Sequence, residues 1–218
     1  MSGAEPAAPA PRVARRRERT RRRLIEAARE VIAERGVEAL RLRDVTTRAD
    51  VGFASLYHHF ADKDALVDAV FAETLEAVAA TTIAAVRDVA DAAEAVAIAH
   101  RAFLRVADAD PPLARLIVQL DGADALFATH MTGYARPVFE RGIAEGRFTI
   151  DDLDTMLAFT MGGTLGVVRA ALAGALADDV AERSARVLLR AAGLPEDEAI
   201  EIAARPLPAI EPPSFDAR

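Results

Sequence analysis

Residues 42 to 66 run Leu-Arg-Asp-Val-Thr-Thr-Arg-Ala-Asp-Val-Gly-Phe-Ala-Ser-Leu-Tyr-His-His-Phe-Ala-Asp-Lys-Asp-Ala-Leu. Leu42, Val45 and Ala49 mark the inner face of one short helix. A second short helix is expected over about 53–59, and Asp50-Val51-Gly52 between them is too short for anything but a tight turn. Val45, Ala49, Val51 and Leu56 form the apolar set that lets two helices pack at a steep angle and leaves the outer face of the second one free. That arrangement is a helix-turn-helix, and its use is to place a helix in a DNA major groove.

The outer face would present Phe53, Ala54, Ser55, Tyr57 and His58, a mixture of hydroxyl, small and aromatic groups suited to base edges, phosphates and thymine methyls. Arg41, Arg43, His59 and Lys63 stand where flanking phosphates would be, contacts that position a domain and carry little sequence information. Tyr57 is better read as a DNA contact and Phe60 as core, while His59 fits packing as well as contact.

The charge distribution agrees. The net charge is −7, yet residues 1–66 carry 14 Lys/Arg against 10 Asp/Glu, and residues 67–218 carry 13 against 24. Eight arginines fall between positions 12 and 23, with Glu18 the one acid among them. A basic arm on an acidic body orients one end toward a polyanion, although a charge run alone is as well explained by solvation.

Helical periodicity begins near residue 17, with Leu24, Ala28, Val31 and Ile32 on one face and Gly36 at the expected stop. Asp62 is placed to cap a longer helix striped by Leu66, Val67, Val70, Phe71, Leu75 and Val78. Further helical segments are expected near 88–107, 112–120, 123–145, 152–173, 178–192 and 196–204, with Asp110-Pro111, glycines and Pro195 at their boundaries. No alternating strand longer than four residues is evident. The fold class is all-α, in the order 1–16 disordered basic arm, 17–64 helix-turn-helix domain, 65–206 helical regulatory and dimerisation domain, and 207–218 flexible tail.

There is no cysteine, which excludes disulfides, thiolate metal sites and a cysteine nucleophile. The start of the chain lacks an apolar signal core, and no uninterrupted apolar run approaches the roughly 20 residues of a membrane span, so a cytoplasmic protein with no membrane partner is expected.

The run from Leu42 to Leu66, above all Ser-Leu-Tyr-His-His-Phe-Ala-Asp-Lys-Asp-Ala-Leu, resembles the signature of the TetR family of transcriptional repressors over about residues 20–70. The resemblance implies a three-helix DNA-binding domain, a connecting fourth helix, and a helical C-terminal domain that dimerises and binds a small molecule. By position, Tyr57, His58 and Lys63 match the family's usual backbone and base contacts, and Phe53 to Ser55 its recognition-helix tip. Three positions depart from the pattern. Asp50 stands where the family usually has glycine, Gly52 where a serine usually caps the recognition helix, and Arg41 replaces a common threonine. Asp tolerates positive φ better than most residues, so a small strain is expected at position 50 and the turn is kept.

The acidic half is then left with dimerisation and sensing. A two-fold homodimer on a palindromic double-stranded operator is the expected form, since one helix-turn-helix reads only a few base pairs. Met161-Gly162-Gly163-Thr164-Leu165-Gly166, with Val180, Val187 and Leu188, is the candidate dimer bundle. Candidate pocket residues are His100, Phe103, Gln119, Phe127, His130, Tyr134, Met156, Phe159 and Arg169, each of which singly also reads as core. They suggest a small hydrophobic effector. No cofactor, metal or catalytic residue is expected: His58 and His59 are adjacent, and neither a His-Glu-x-x-His nor a Gly-x-Ser-x-Gly motif occurs. The competing readings are a helical small-molecule enzyme and a DNA-binding activator without effector.

Overall fold

The computed structural model describes residues 12–119, 122–177, 179–210 and 213. Among these are ten α-helices and no β-strand, in two compact units that divide between Val70 and Phe71, inside the fourth helix. The helices are α1 (Arg12–Arg35), α2 (Leu42–Arg48), α3 (Phe53–Tyr57), α4 (Lys63–Val86), α5 (Ala92–Ala109), α6 (Pro111–Gln119), α7 (Ala123–Ala144), α8 (Leu153–Leu172), α9 (Val180–Ala191) and α10 (Glu196–Ala204). Residues 12–16, expected as part of a disordered arm, are helical in α1; residues 1–11 lie outside the described residues, as does most of the segment beyond 210.

The N-terminal unit packs α1, α2, α3 and the start of α4 around Leu24, Ala28, Val31, Leu40, Val45 and Leu56, all at most 3% exposed. Burial of such side chains stabilises by about 1.5–3 kcal/mol each, so this small core is what fixes the angle between α2 and α3. Polar ties add direction. Arg48 on α2 reaches both carboxylate oxygens of Glu34 on α1, at 2.8 and 2.9 Å, and Glu30 at 3.4 Å. The turn between α2 and α3 passes through Asp50 at φ 49°, the one left-handed non-glycine residue among those described, as position 50 required. It closes with the Val51 N–H donating to the Thr46 carbonyl at 3.0 Å.

Helix starts in both units use aspartate side chains that accept from free first-turn N–H groups. Asp62 accepts from Ala65 at 2.8 Å, Asp91 from Ala93 at 3.0 Å, Asp110 from Leu113 at 3.0 Å and Asp152 from Thr155 at 2.6 Å.

In the C-terminal unit α5 lies against α7 and α9, α7 against α8, and α9 against α10. One cluster joins Val96, Phe139, Phe148, Leu157, Leu189 and Ile202 from six parts of the chain. The Phe139 and Phe148 rings stand 5.6 Å apart. Gly142 makes this possible: a Cβ there would meet the Phe148 ring at 2.2 Å, so the position accepts no larger residue without moving the ring. By length and composition α4 and α8 are apolar enough to cross a bilayer, a test that core helices of helical bundles also meet. Both have buried stripes, through Leu66, Phe71, Leu75 and Val78 in α4 and Leu157, Met161, Leu165 and Val168 in α8.

Candidate functional site

The turn at Asp50 delivers α3 with Leu56 facing inward, fully buried, and the remaining side chains turned out. Phe53 is 44% and Tyr57 54% exposed, one helical turn apart, with ring centroids 6.3 Å from each other. Two adjacent aromatic rings left in water form a surface that packing within the unit does not explain. Ala54 and His58 are exposed on the same short helix and Ser55 is half-buried. Gly52 occupies the N-cap with φ −68° and makes no side-chain bond, leaving the first N–H groups of α3 open at this face.

Around α3, Arg41 and Arg43 are exposed, and Arg41 caps α2 through its backbone only, so its guanidinium is not used in capping. Lys63 is half-buried and donates from Nζ to the Glu38 carbonyl at 3.5 Å, a bond it would have to give up to reach a phosphate fully. His59 is half-buried beside Phe60. Burial, and then the nearby Arg17 and Arg21 guanidinium groups, hold its pKa below the ordinary histidine value, so it is neutral near pH 7. Phe60 is 4% exposed, with the Arg21 guanidinium 5.6 Å above its ring. Arg48, by contrast, is held to α1 by two glutamates and is structural.

The C-terminal unit encloses a cavity of about 340 Å³, within the range of small-molecule sites. Thr82 and Ile83 from α4, His100 and Phe103 from α5, and Met131 and Tyr134 from α7 line it. Thr160, Met161 and Thr164 from α8 and Leu188 from α9 complete the wall. Phe103 and Phe127 meet edge to face at 5.3 Å and 62°. Among the described residues, no Asp, Glu, Lys or Arg lines the space. Ile83 and Tyr134, 38% and 42% exposed, stand where the cavity meets solvent.

Among the described residues, His100 is the one histidine on the wall. Burial pushes its pKa down to about 4, so the imidazole is neutral at physiological pH. Its Nε2 lies 2.8 Å from Ser184 Oγ on α9 and its Nδ1 3.4 Å from Thr164 Oγ1 on α8.

Of the nine pocket residues expected from sequence, His100, Phe103, Phe127 and Tyr134 come together on this wall. Met156, Phe159, His130 and Arg169 do not. Met156 is buried in the core cluster with Leu157 and Phe139. Arg169 reaches both oxygens of Asp124 at 2.9 Å and ties α8 to the first turn of α7. His130 is half-buried on α7 outside the cavity wall, and the Gln119 side chain lies outside the described residues. Phe159 is 62% exposed, on the side of α8 away from Thr160 and Thr164. Sequence reasoning missed Met131, Thr160 and Thr164; the i, i+4 spacing of the two threonines on an apolar helix was the available signal.

Phe159 instead joins Gly162, Gly163 and Gly166 on the exposed side of α8, and Val187 is 58% exposed on α9. Leu188, expected with them, is 6% exposed and points into the unit, and Val180 is half-buried.

Residues 24–70 match the family described as "Bacterial regulatory proteins, tetR family", and residues 91–205 match "Tetracyclin repressor-like, C-terminal domain". The HTH-type transcriptional repressor KstR2 of Mycobacterium tuberculosis is 30% identical over 160 residues, covering 67% of this chain and 78% of that protein. The crystal structure of RolR in complex with resorcinol superposes with a TM-score of 0.81 at 34% identity, covering 91% of this chain and 100% of RolR. The fatty acid degradation regulator FadR of Bacillus halodurans shares the fold, with a TM-score of 0.65 at 20% identity over 78% of this chain and 94% of FadR. The helix-turn-helix unit and the helical unit that encloses the cavity are thus both matched, and the chain belongs to the TetR family of transcriptional regulators.

Proposed function

We propose that this regulator is a repressor that holds a palindromic operator as a homodimer in the cytoplasm and is released by a small, mostly apolar effector. The observation that carries the reading is the 340 Å³ cavity, walled by apolar side chains and lying in the unit that does not contain the helix-turn-helix. A space of that size left empty would cost packing energy throughout its lining, so a core with this cavity serves a ligand better than it serves stability. KstR2 is named a repressor and RolR was crystallised with resorcinol, so repression and a small aromatic ligand both have a precedent among similar proteins.

Phe53, Ala54, Ser55, Tyr57 and His58 would meet base edges, with Arg41, Arg43 and, after rearrangement, Lys63 on phosphates. His59 is better assigned to packing. The exposed side of α8, with Phe159 beside three glycines, and Val187 on α9 would form the dimer contact, burying the large apolar side chains that the single chain leaves in water. Two recognition helices would then meet half-sites about 34–36 Å apart or a multiple. An effector that favours one dimer conformation by about 1–3 kcal/mol is enough to release the operator.

Selection from random duplexes at fixed salt should enrich a palindrome, and the enriched duplex should dissociate when a cavity-binding compound is added. Failure to enrich any sequence at low salt would remove the reading; enrichment with no compound able to release it would leave a DNA-binding regulator without an effector.

A further inference from the structure

Apart from the Tyr134 hydroxyl, where the cavity meets solvent, the side-chain hydroxyls on the wall face it as acceptors. A threonine hydroxyl has one proton to donate. Thr82 donates to the Val78 carbonyl at 2.9 Å, Thr160 to Met156 at 2.7 Å and Thr164 to Thr160 at 2.7 Å. Each is a bond back along its own helix, so each hydroxyl oxygen turns only lone pairs to the cavity. Pro137, inside α7, has no N–H for the carbonyl four residues earlier, and both Pro137 and that residue, Gly133, are on the cavity wall.

His100 completes the set. Ser184 Oγ donates to the Ala181 carbonyl at 3.2 Å, so both hydroxyl oxygens near the imidazole are acceptors toward it. A neutral imidazole has a single N–H. With that N–H on Nε2, toward the shorter 2.8 Å contact to Ser184, Nδ1 faces Thr164 Oγ1 at 3.4 Å with a lone pair on each side. In that tautomer two acceptors face one another, and a third group can bring the proton between them.

We infer that His100 holds its proton on Nε2 and that the cavity takes a neutral aromatic molecule bearing a hydroxyl group, whose O–H donates at the His100 Nδ1 and Thr164 Oγ1 pair. The Phe103–Phe127 edge pair and the Met131 and Met161 thioethers supply the aromatic-ring environment. Among the described residues the wall carries no charged group, so a carboxylate would enter a low-dielectric space without a partner. An ether or ketone of the same shape brings a further acceptor to a site that already has two.

This inference rests on the effector reading above and is tested apart from it. Calorimetric titration of the full chain with 2-naphthol, 2-methoxynaphthalene and 2-naphthoate compares a donor, its methyl ether and a charged analogue on one ring system. 2-Naphthol should bind about tenfold or more tightly than either of the others, the loss expected when a buried acceptor is left without its donor. Thr164→Val should weaken 2-naphthol about tenfold and leave the methyl ether unchanged, while Thr164→Ser keeps the preference. If the valine variant does not fold, the wild-type comparison still decides. Equal or tighter binding of the ether overturns the donor claim, tighter binding of the naphthoate overturns neutrality, and no binding of any of the three overturns the ligand class. None of these results touches the effector reading, which fails on its own if no cavity ligand releases a selected operator.

Discussion

Two pairs of aromatic rings divide the labour of this protein. Phe53 and Tyr57 stand 6.3 Å apart, about half exposed, on a helix of five residues. Phe103 and Phe127 stand 5.3 Å apart and almost wholly buried, on the wall of an internal cavity. The first pair leaves apolar surface in water while the small core behind it is closed. The second leaves empty volume inside the C-terminal unit. Each unit leaves contacts unmade in a different place, the surface of one and the interior of the other, and the proposed DNA and effector would each supply them.

The sharpest way to break this comparison is to exchange an inward for an outward residue on α3. Leu56→Ala should destabilise the N-terminal unit by about 2–5 kcal/mol in a denaturant titration followed by circular dichroism. Tyr57→Ala, one residue on, should change stability by less than about 0.5 kcal/mol. If the two cost the same, the outward face of α3 is packed and not held open for a partner.

Next in size is the pH dependence of the C-terminal unit. Burial lowers the His100 pKa to about 4 from an ordinary 6.5, so between these values the unfolded chain binds the extra proton. The stability owed to neutral His100 is therefore complete above about pH 6.5 and lost as the pH falls toward 4. The whole effect is on the order of 3 kcal/mol. Melting curves from pH 4 to 7 should show this slope in the native chain and a flatter one in His100→Gln; identical slopes would mean that the ring is hydrated.

On the DNA side, Tyr57→Ala should cost about 1–3 kcal/mol of operator affinity by fluorescence anisotropy at one fixed salt concentration. Unchanged binding would move the reading surface away from the exposed rings. The smallest change lies at the turn. Asp50→Gly should raise stability by at most about 1 kcal/mol through relief of φ 49°, and Asp50→Val should lower it by about 1–2 kcal/mol. A valine variant as stable as the native chain would show that the turn accommodates a β-branched residue by changing conformation.

Helix positions were readable in the chain because their signals are local. Asp62, Asp110 and Asp152 cap where their placement required, Gly36 ends α1, and Leu24, Val31, Leu66 and Leu75 form stripes that had only to be buried somewhere. The outward set on α3 was readable for the same reason: inside and outside on one short helix follow from its neighbours in sequence. The pocket was not. His100, Phe103, Phe127 and Tyr134 reached it, while Met156 and Phe159, similar in kind and nearby in sequence, ended in the core cluster and on the open side of α8. Apolar periodicity marks a buried stripe and carries no information on whether the space in front of it is filled.

By itself, then, the sequence determined an all-helical chain, a turn that demands positive φ at position 50, and a basic, aromatic face on the short helix that follows. Each depends on residues within a few positions of one another, through capping, backbone sterics and side-chain direction. Only the tertiary structure decided that five helices from residue 79 onward leave a cavity among them, and that His100 and Thr164 meet on its wall. A void and a polar pair on its wall are properties of how distant segments meet, and no single segment contains them.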